Sequence, residues 1–164
     1  MDAVAFRSVP SEFSYYDQRV IAFEDLPAGR IIPLGEVVVD RNEMVDFATK
    51  FDPQPFHLDE EAGRNSIFGG LSASGWYTAS LWMRSWVDKV LSNSTSQGSP
   101  GGRELSWLAP VYAGDTLTFS AEVLSARRSK TRPTLGLVEF AGMAHRGDEL
   151  VYKFVATGMF TTRT

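Results

Sequence analysis

Residues 52–57 read Asp-Pro-Gln-Pro-Phe-His, which sets a carboxylate and an imidazole on one short segment stiffened by Pro53 and Pro55 and flanked by Phe51 and Phe56. Free in water, such an acid titrates near about 3.9 and an imidazole near about 6.5. Asp52 and His57 can therefore pair an ionised base with a group that gives or takes a proton near neutrality. Apolar neighbours and the end of a preceding helix are expected to raise the acid's pKa toward useful base strength. The plainer reading is a turn acid and a buried histidine that only satisfy backbone groups.

The segment before this pair must position it. Met44, Phe47, Ala48 and Phe51 recur at i, i+3, i+4 and i+7, which predicts an amphipathic helix with that face in the core. Asp40 and Glu43 have the spacing of a capping box at its start. The helix is expected to stop at Asp52, because Pro53 pushes the residue before it out of the α region. A carboxylate at a helix C-terminus meets partial negative charge, and a local rule broken without local benefit tends to mark a functional site. Asp59 and Glu60 predict the start of a short second helix.

From Arg64 to Arg84 nothing is charged, yet Gly69, Gly70 and Gly75 and four serines interrupt the run. That excludes a membrane span, which takes about 20 apolar residues, and predicts a buried glycine-rich loop. Residues 76–91, WYTASLWMRSWVDKVL, predict a helix apolar almost all round, one that must be surrounded by protein. Leu117, Phe119, Ala121 and Val123 alternate with polar neighbours, the period of a half-buried strand. LGLVEFAGMAH and ELVYKFVATGMF predict two more strands joined by an Arg-Gly-Asp turn, with His145 exposed beside it. ELSWLAPV adds another strand, and RIIPLGEVVV reads as a broken strand pair. One long buried helix with roughly five antiparallel strands is an α+β architecture. The chain is expected to form a single domain over 1–164, with residues 1–19 an N-terminal extension and residues 92–102, SNSTSQGSPGG, a flexible connection.

Composition removes several classes of function. A 43% hydrophobic and 22% charged chain of 164 residues suits one sizeable core. The net charge of −4 argues against nucleic acid as a partner. With no cysteine and two histidines, neither thiolate chemistry nor a dedicated transition-metal site is expected, and no cofactor is called for. MDAVAFRSVPSEF has no basic region followed by an apolar stretch, so a cytoplasmic setting without membrane attachment is expected. The Asn-Ser-Thr at 93–95 then reads as a chance match to a glycosylation acceptor.

The stretch from Phe47 to Leu81, FATKFDPQPFHLDEEAGRNSIFGGLSASGWYTASL, resembles the MaoC-like dehydratases and R-specific enoyl-CoA hydratases. Their motif runs D-x-N-P-[hydrophobic]-H, followed by an acid, a short helix and a glycine that opens the long helix. Asp52, Pro55, Phe56 and His57 match it, and Gly75 aligns with that glycine. Gln54 stands where Asn is usual, and Ser74 where a histidine is frequent. Gly114–Leu117, GDTL, also fits, and the likeness runs through most of the chain from Phe23 onward.

The resemblance implies a hotdog fold, in which a long helix from about Ser74 is wrapped by the antiparallel sheet, paired as a homodimer or a dimer-based oligomer. It implies reversible syn hydration of a trans-2-enoyl thioester, such as an acyl-CoA, to the (R)-3-hydroxyacyl product. On that implication Asp52 and His57 are catalytic and hold a water between them, with Gln54, Pro55 and Ser74 supporting the site. The Gly75 N–H would receive the developing enolate oxygen, since an amide at a helix N-terminus points outward with partial positive charge. The alternative for Gly75 is a glycine required by close backbone packing. The departures at Gln54 and Ser74 leave the proton-transfer groups intact but reshape the pocket.

GLSAS at 70–74 nearly spells a serine-hydrolase elbow, but it ends in Ser74 and no parallel βαβ series precedes it, which excludes that class. An acyl-CoA thioesterase on the same fold, and a noncatalytic acyl-thioester-binding subunit, stay open. Arg127, Arg128, Lys130 and Arg132 form either a clamp for CoA phosphates or a solvated hairpin tip. Trp76, Tyr77, Trp82 and Trp86 either line an acyl tunnel or fill the core.

Overall fold

A computed structural model describes residues 19–163, so nearly all of the extension read over 1–19 lies outside the described residues. Five strands, β1 (Ile31–Val38), β2 (Gly101–Trp107), β3 (Thr116–Arg128), β4 (Leu135–Arg146) and β5 (Glu149–Thr161), pair antiparallel in the order β1-β3-β4-β5-β2. Helix α1 is Arg41–Phe51, α2 Pro55–Leu58, α3 Glu60–Arg64 and α4 Gly75–Lys89. Together the long α4 and the five-stranded sheet make a hotdog fold.

Alternation along β3 buries Leu117, Phe119, Ala121 and Val123 as expected. Side chains such as Phe119 each contribute about 1.5–3 kcal/mol when fully buried. Trp82 of α4 is fully buried, stacks on Phe140 of β4, and donates its indole N–H to the Ser120 carbonyl at 2.9 Å. That bond satisfies the polar end of an otherwise apolar contact. The β4–β5 hairpin turns on Gly147 and Asp148 as expected, although His145 is half-buried rather than exposed. No helix among the described residues is long and apolar enough to cross a membrane.

Several expectations are corrected. RIIPLGEVVV is one strand, because Gly35, at φ +97°, absorbs a bulge that shifts the pairing with β3 without ending it. Residues 92–102 are not a free connection: Ser94 bridges Ile21, Ser96 bridges Phe160, and Gly101 and Gly102 already belong to β2. The backbone of Ile21 and the edge of β5 recruit these residues as partners, whatever their composition. The capping box is half formed, with Asp40 accepting from the Asn42 and Glu43 amides at 2.8 and 2.9 Å while Glu43 accepts the Tyr77 hydroxyl at 3.2 Å. On α1, Met44 and Ala48 are buried, but Phe51 is 62% exposed, its ring 5.0 Å from that of Phe47 and covered by the Lys50 ammonium at 5.1 Å. Nor is α4 enclosed all round: Trp76, Met83 and Val87 are exposed along one side.

Candidate active site

Backbone geometry brings Asp52 and His57 together. Asp52 closes α1 in a non-helical conformation, φ −151° and ψ 63°, and three residues later Pro55 opens α2. Proline suits a first helical position because its ring presets φ and the missing N–H would lack a partner anyway. The single turn of α2 swings His57 back toward the acid and buries it to 6% exposure. The glycine-rich loop forms the floor. Ser72 N–H donates to the Phe56 carbonyl at 3.2 Å and Ala73 N–H to the Val111 carbonyl at 2.8 Å, tying the loop to α2 on one side and to the approach to β3 on the other. The loop passes so close to α3 that a Cβ on Gly63 would lie 2.6 Å from the backbone of Gly70.

Three groups converge on the carboxylate. Ser74 Oγ donates to Asp52 Oδ2 at 2.7 Å, Gln54 Nε2 donates to Asp52 Oδ1 at 2.7 Å, and His57 Nε2 stands 3.5 Å from Oδ2. The two residues that depart from the family's motif are thus the two that clamp the acid. The opposite ring nitrogen, His57 Nδ1, lies 2.7 Å from the Ser72 carbonyl. A carbonyl only accepts, so Nδ1 carries a proton, and in the neutral form of the ring the lone pair sits on Nε2, the nitrogen nearest Asp52.

The acid is not raised as the sequence led us to expect. Burial is the largest single influence and pushes the Asp52 pKa up, but the hydrogen bonds from Ser74 and Gln54 and the nearby His57 together outweigh it and hold the pKa below the usual 3.8. A folded-state pKa below the unfolded one contributes stability that is complete above pH 3.8 and is lost as pH falls through the folded value. Ser74→Ala is therefore expected to raise the Asp52 pKa, seen as an upward shift of its carboxyl titration by NMR. It should also cost about 1.5–3 kcal/mol of stability, the usual worth of a hydrogen bond to a charged group.

The pair opens into a cavity of about 560 Å³. Among the described residues Asp52 and His57 are the only ionisable groups in its wall, which is otherwise mostly apolar and includes Phe56, Phe68, Trp107 and Val151. Gly75 lies in the same wall as the first residue of α4, where an amide has no intrahelical acceptor. A Cβ at Gly75 would sit 2.4 Å from the indole of Trp107. The close approach at this glycine is to an indole side chain rather than to backbone. Pro110 and Val111 in the wall are braced by Arg146, whose guanidinium donates to the Pro110 carbonyl at 3.0 Å and to Asp115 at 2.7 Å.

The basic cluster is placed elsewhere. Arg127 and Arg128 end β3 and Lys130 and Arg132 occupy the turn after it, whereas the cavity lies near the strand's start, roughly 40 Å of extended chain away at about 3.3 Å per residue. Arg128 pairs with Glu24 at 3.4 Å. Of the aromatic set, only Trp76 lines this cavity, while Tyr77, Trp82 and Trp86 are buried in the core. Sequence reasoning missed Trp107 and the Ser72 carbonyl, both set by tertiary pairing and carrying no local signal.

The family model for the MaoC-like domain matches residues 30–139, and the chain belongs to that family. A MaoC-like dehydratase from Rhodospirillum rubrum is 40% identical, with a TM-score of 0.80 over 88% of this chain and 99% of its own. The Bacillus subtilis protein YdeM is 26% identical over 115 residues, which is 70% of this chain and 80% of that one. The (R)-hydratase from A. caviae involved in PHA biosynthesis shares the fold, at 24% identity and a TM-score of 0.64 over 82% of this chain and 97% of its own.

Proposed function

We propose that the protein catalyses reversible hydration of a trans-2-enoyl thioester, with an acyl-CoA as the substrate class. The observation that carries this reading is the pair Asp52 Oδ2 and His57 Nε2, 3.5 Å apart in a mostly apolar cavity that they share with the first amide of α4. The separation is too long for a direct hydrogen bond, yet one water can lie about 2.8 Å from both atoms. Asp52 orients that water while the lone pair of His57 Nε2 takes one of its protons. The water oxygen bonds to C3, and the C2–C3 π electrons move onto the thioester oxygen as an enolate. The imidazolium then returns the proton to C2 on the same face, so one water is added and His57 is regenerated. The Gly75 amide stabilises the enolate oxygen.

Among the described residues the wall holds no lysine or arginine, which favours an uncharged acyl chain over one ending in a carboxylate. The exposed stripe of Trp76, Met83 and Val87 beside Leu105 on the edge strand β2 supports a homodimer. Sedimentation at twice the 18.1 kDa chain mass is the expected result, and a monomer would remove that part of the reading. Function is tested by mixing the purified protein with crotonyl-CoA. Loss of enoyl absorbance with no free thiol is expected; released thiol would instead mean a thioesterase, and no reaction would leave a binding subunit.

A further inference from the structure

We propose that the substrate's acyl chain carries a hydroxyl group on C4 or C5, and that the buried hydroxyl of Thr78 binds it. The inference rests on the hydratase reading and narrows its substrate class. Thr78 lines the active-site cavity one turn into α4 and is only 2% exposed. Ser74, which donates to Asp52, lies four residues earlier on the same face, about 6 Å back along the helix axis. Helical side chains slant toward the N-terminus. The Thr78 side chain therefore reaches back toward the reacting pair and meets the one or two chain atoms that follow C3.

Exposure along the wall tells the mouth of the cavity from its inner end. Ile67, Trp76 and Trp107 are exposed and mark the mouth, whereas Thr78, Val111 and Val151 are buried and mark the interior. A bulky, multiply charged CoA moiety stays outside a mostly apolar cavity. The acyl chain then enters with its far end leading, so the part beyond C3 lies on the side of Thr78.

Hydrogen-bond accounting singles out this hydroxyl. Elsewhere in the wall Gln54 donates to Asp52, Ser72 Oγ lies 3.3 Å from His57 Nδ1, and the indoles of Trp76 and Trp107 sit at the mouth, where water serves them. A helical Ser or Thr commonly bonds the carbonyl four residues back, as Thr49 does to Val45 and Ser80 to Trp76, each at 2.8 Å. For Thr78 that carbonyl belongs to Ser74, and it takes the amides of Tyr77 and Thr78 at 3.0 and 3.3 Å but not the hydroxyl. Thr78 Oγ1 has no hydrogen-bond partner among the described residues. Nor is it walled off, since the hydroxyl sealed from solvent without a partner is that of Thr162. The little of Thr78 that stays accessible thus includes its oxygen, and it opens on the cavity. A plain hydrocarbon chain lying there strips water from the hydroxyl and leaves it unmatched, whereas a hydroxyl on the chain satisfies it.

The test sets trans-4-hydroxy-2-butenoyl-CoA against trans-2-pentenoyl-CoA, and trans-5-hydroxy-2-pentenoyl-CoA against trans-2-hexenoyl-CoA, so that within each pair a hydroxyl replaces a methyl. Steady-state kcat/KM is measured for the wild type, Thr78→Val and Thr78→Ser. The wild type is expected to favour the hydroxylated member of at least one pair by about tenfold or more. Thr78→Ser keeps that preference. Thr78→Val loses it, with kcat/KM falling on the hydroxylated substrate and rising on its alkyl partner. A wild-type ratio below about threefold in both pairs overturns the inference by itself, whether or not the valine variant folds. An equal loss on both members of a pair in Thr78→Val also overturns it, because the hydroxyl would then serve the part that all the substrates share. If the wild type hydrates none of the four, the hydratase reading fails, and calorimetric binding of their saturated forms still decides the role of Thr78. Tighter binding of the hydroxylated form, lost in Thr78→Val, upholds that role, and equal binding removes it.

Discussion

Asp52→Asn is expected to lower the rate of crotonyl-CoA hydration by about 10³-fold or more while the protein stays folded. The change is nearly isosteric, and the side chain can still accept one hydrogen bond, so either Gln54 or Ser74 keeps a partner. The negative charge is lost. Asp52 is ionised from mildly acidic pH upward, since its pKa lies below 3.8, and in the proposed mechanism that charge both orients the water and offsets the positive charge that appears on His57 during proton transfer. General acid–base assistance typically contributes 10²–10⁴-fold, and the loss of the electrostatic partner adds to this. The enoyl absorbance assay measures the rate, and a thermal melt checks the fold. A variant retaining a tenth of the wild-type rate would show that water is activated elsewhere.

Removing the imidazole should be at least as damaging and should also destabilise the protein. His57→Ala leaves the buried Ser72 carbonyl without its 2.7 Å donor and strips away ring contacts with Phe56 and Phe68. An unsatisfied buried polar group costs about 1–3 kcal/mol, so the melting temperature is expected to fall measurably in this variant but little in Asp52→Asn. The hydration rate is expected to drop by about 10³-fold or more, because Asp52, held by two donors, is a poor base on its own. Added imidazole, small enough for the vacated space, should restore part of the rate. Undiminished activity without it would remove His57 from the mechanism.

Asp52 and His57 were legible because their juxtaposition is local: a helix stop, two prolines and one turn lie within a few residues, and nothing distant is needed to bring the pair together. Gln54 and Ser74 were visible as departures from a motif, but their use was not, since the Ser74 bond spans 22 positions and depends on how α4 docks. The sign of the Asp52 shift was misjudged for the same reason. Burial and the helix end could be read from the sequence, whereas the donors that outweigh burial belong to the folded arrangement. Trp107 was out of reach because the pairing of β2 with β5 decides where its ring lies. Gly35 hid the continuity of β1, and the apolar sequence of α4 concealed that one side of it lacks a partner within the chain.

The hydroxyl of Ser74 accepts a hydrogen bond from the Trp76 amide at the start of α4 and donates its own to the Asp52 carboxylate. A single atom thus fastens the rod at the centre of the molecule to the carboxylate of Asp52. Sliding or tilting α4 by a fraction of an ångström would stretch that fastening and let the acidity of Asp52 drift upward. Since Met83 and Val87 on the same rod face outward, whatever grips them also holds the carboxylate of Asp52 to its setting.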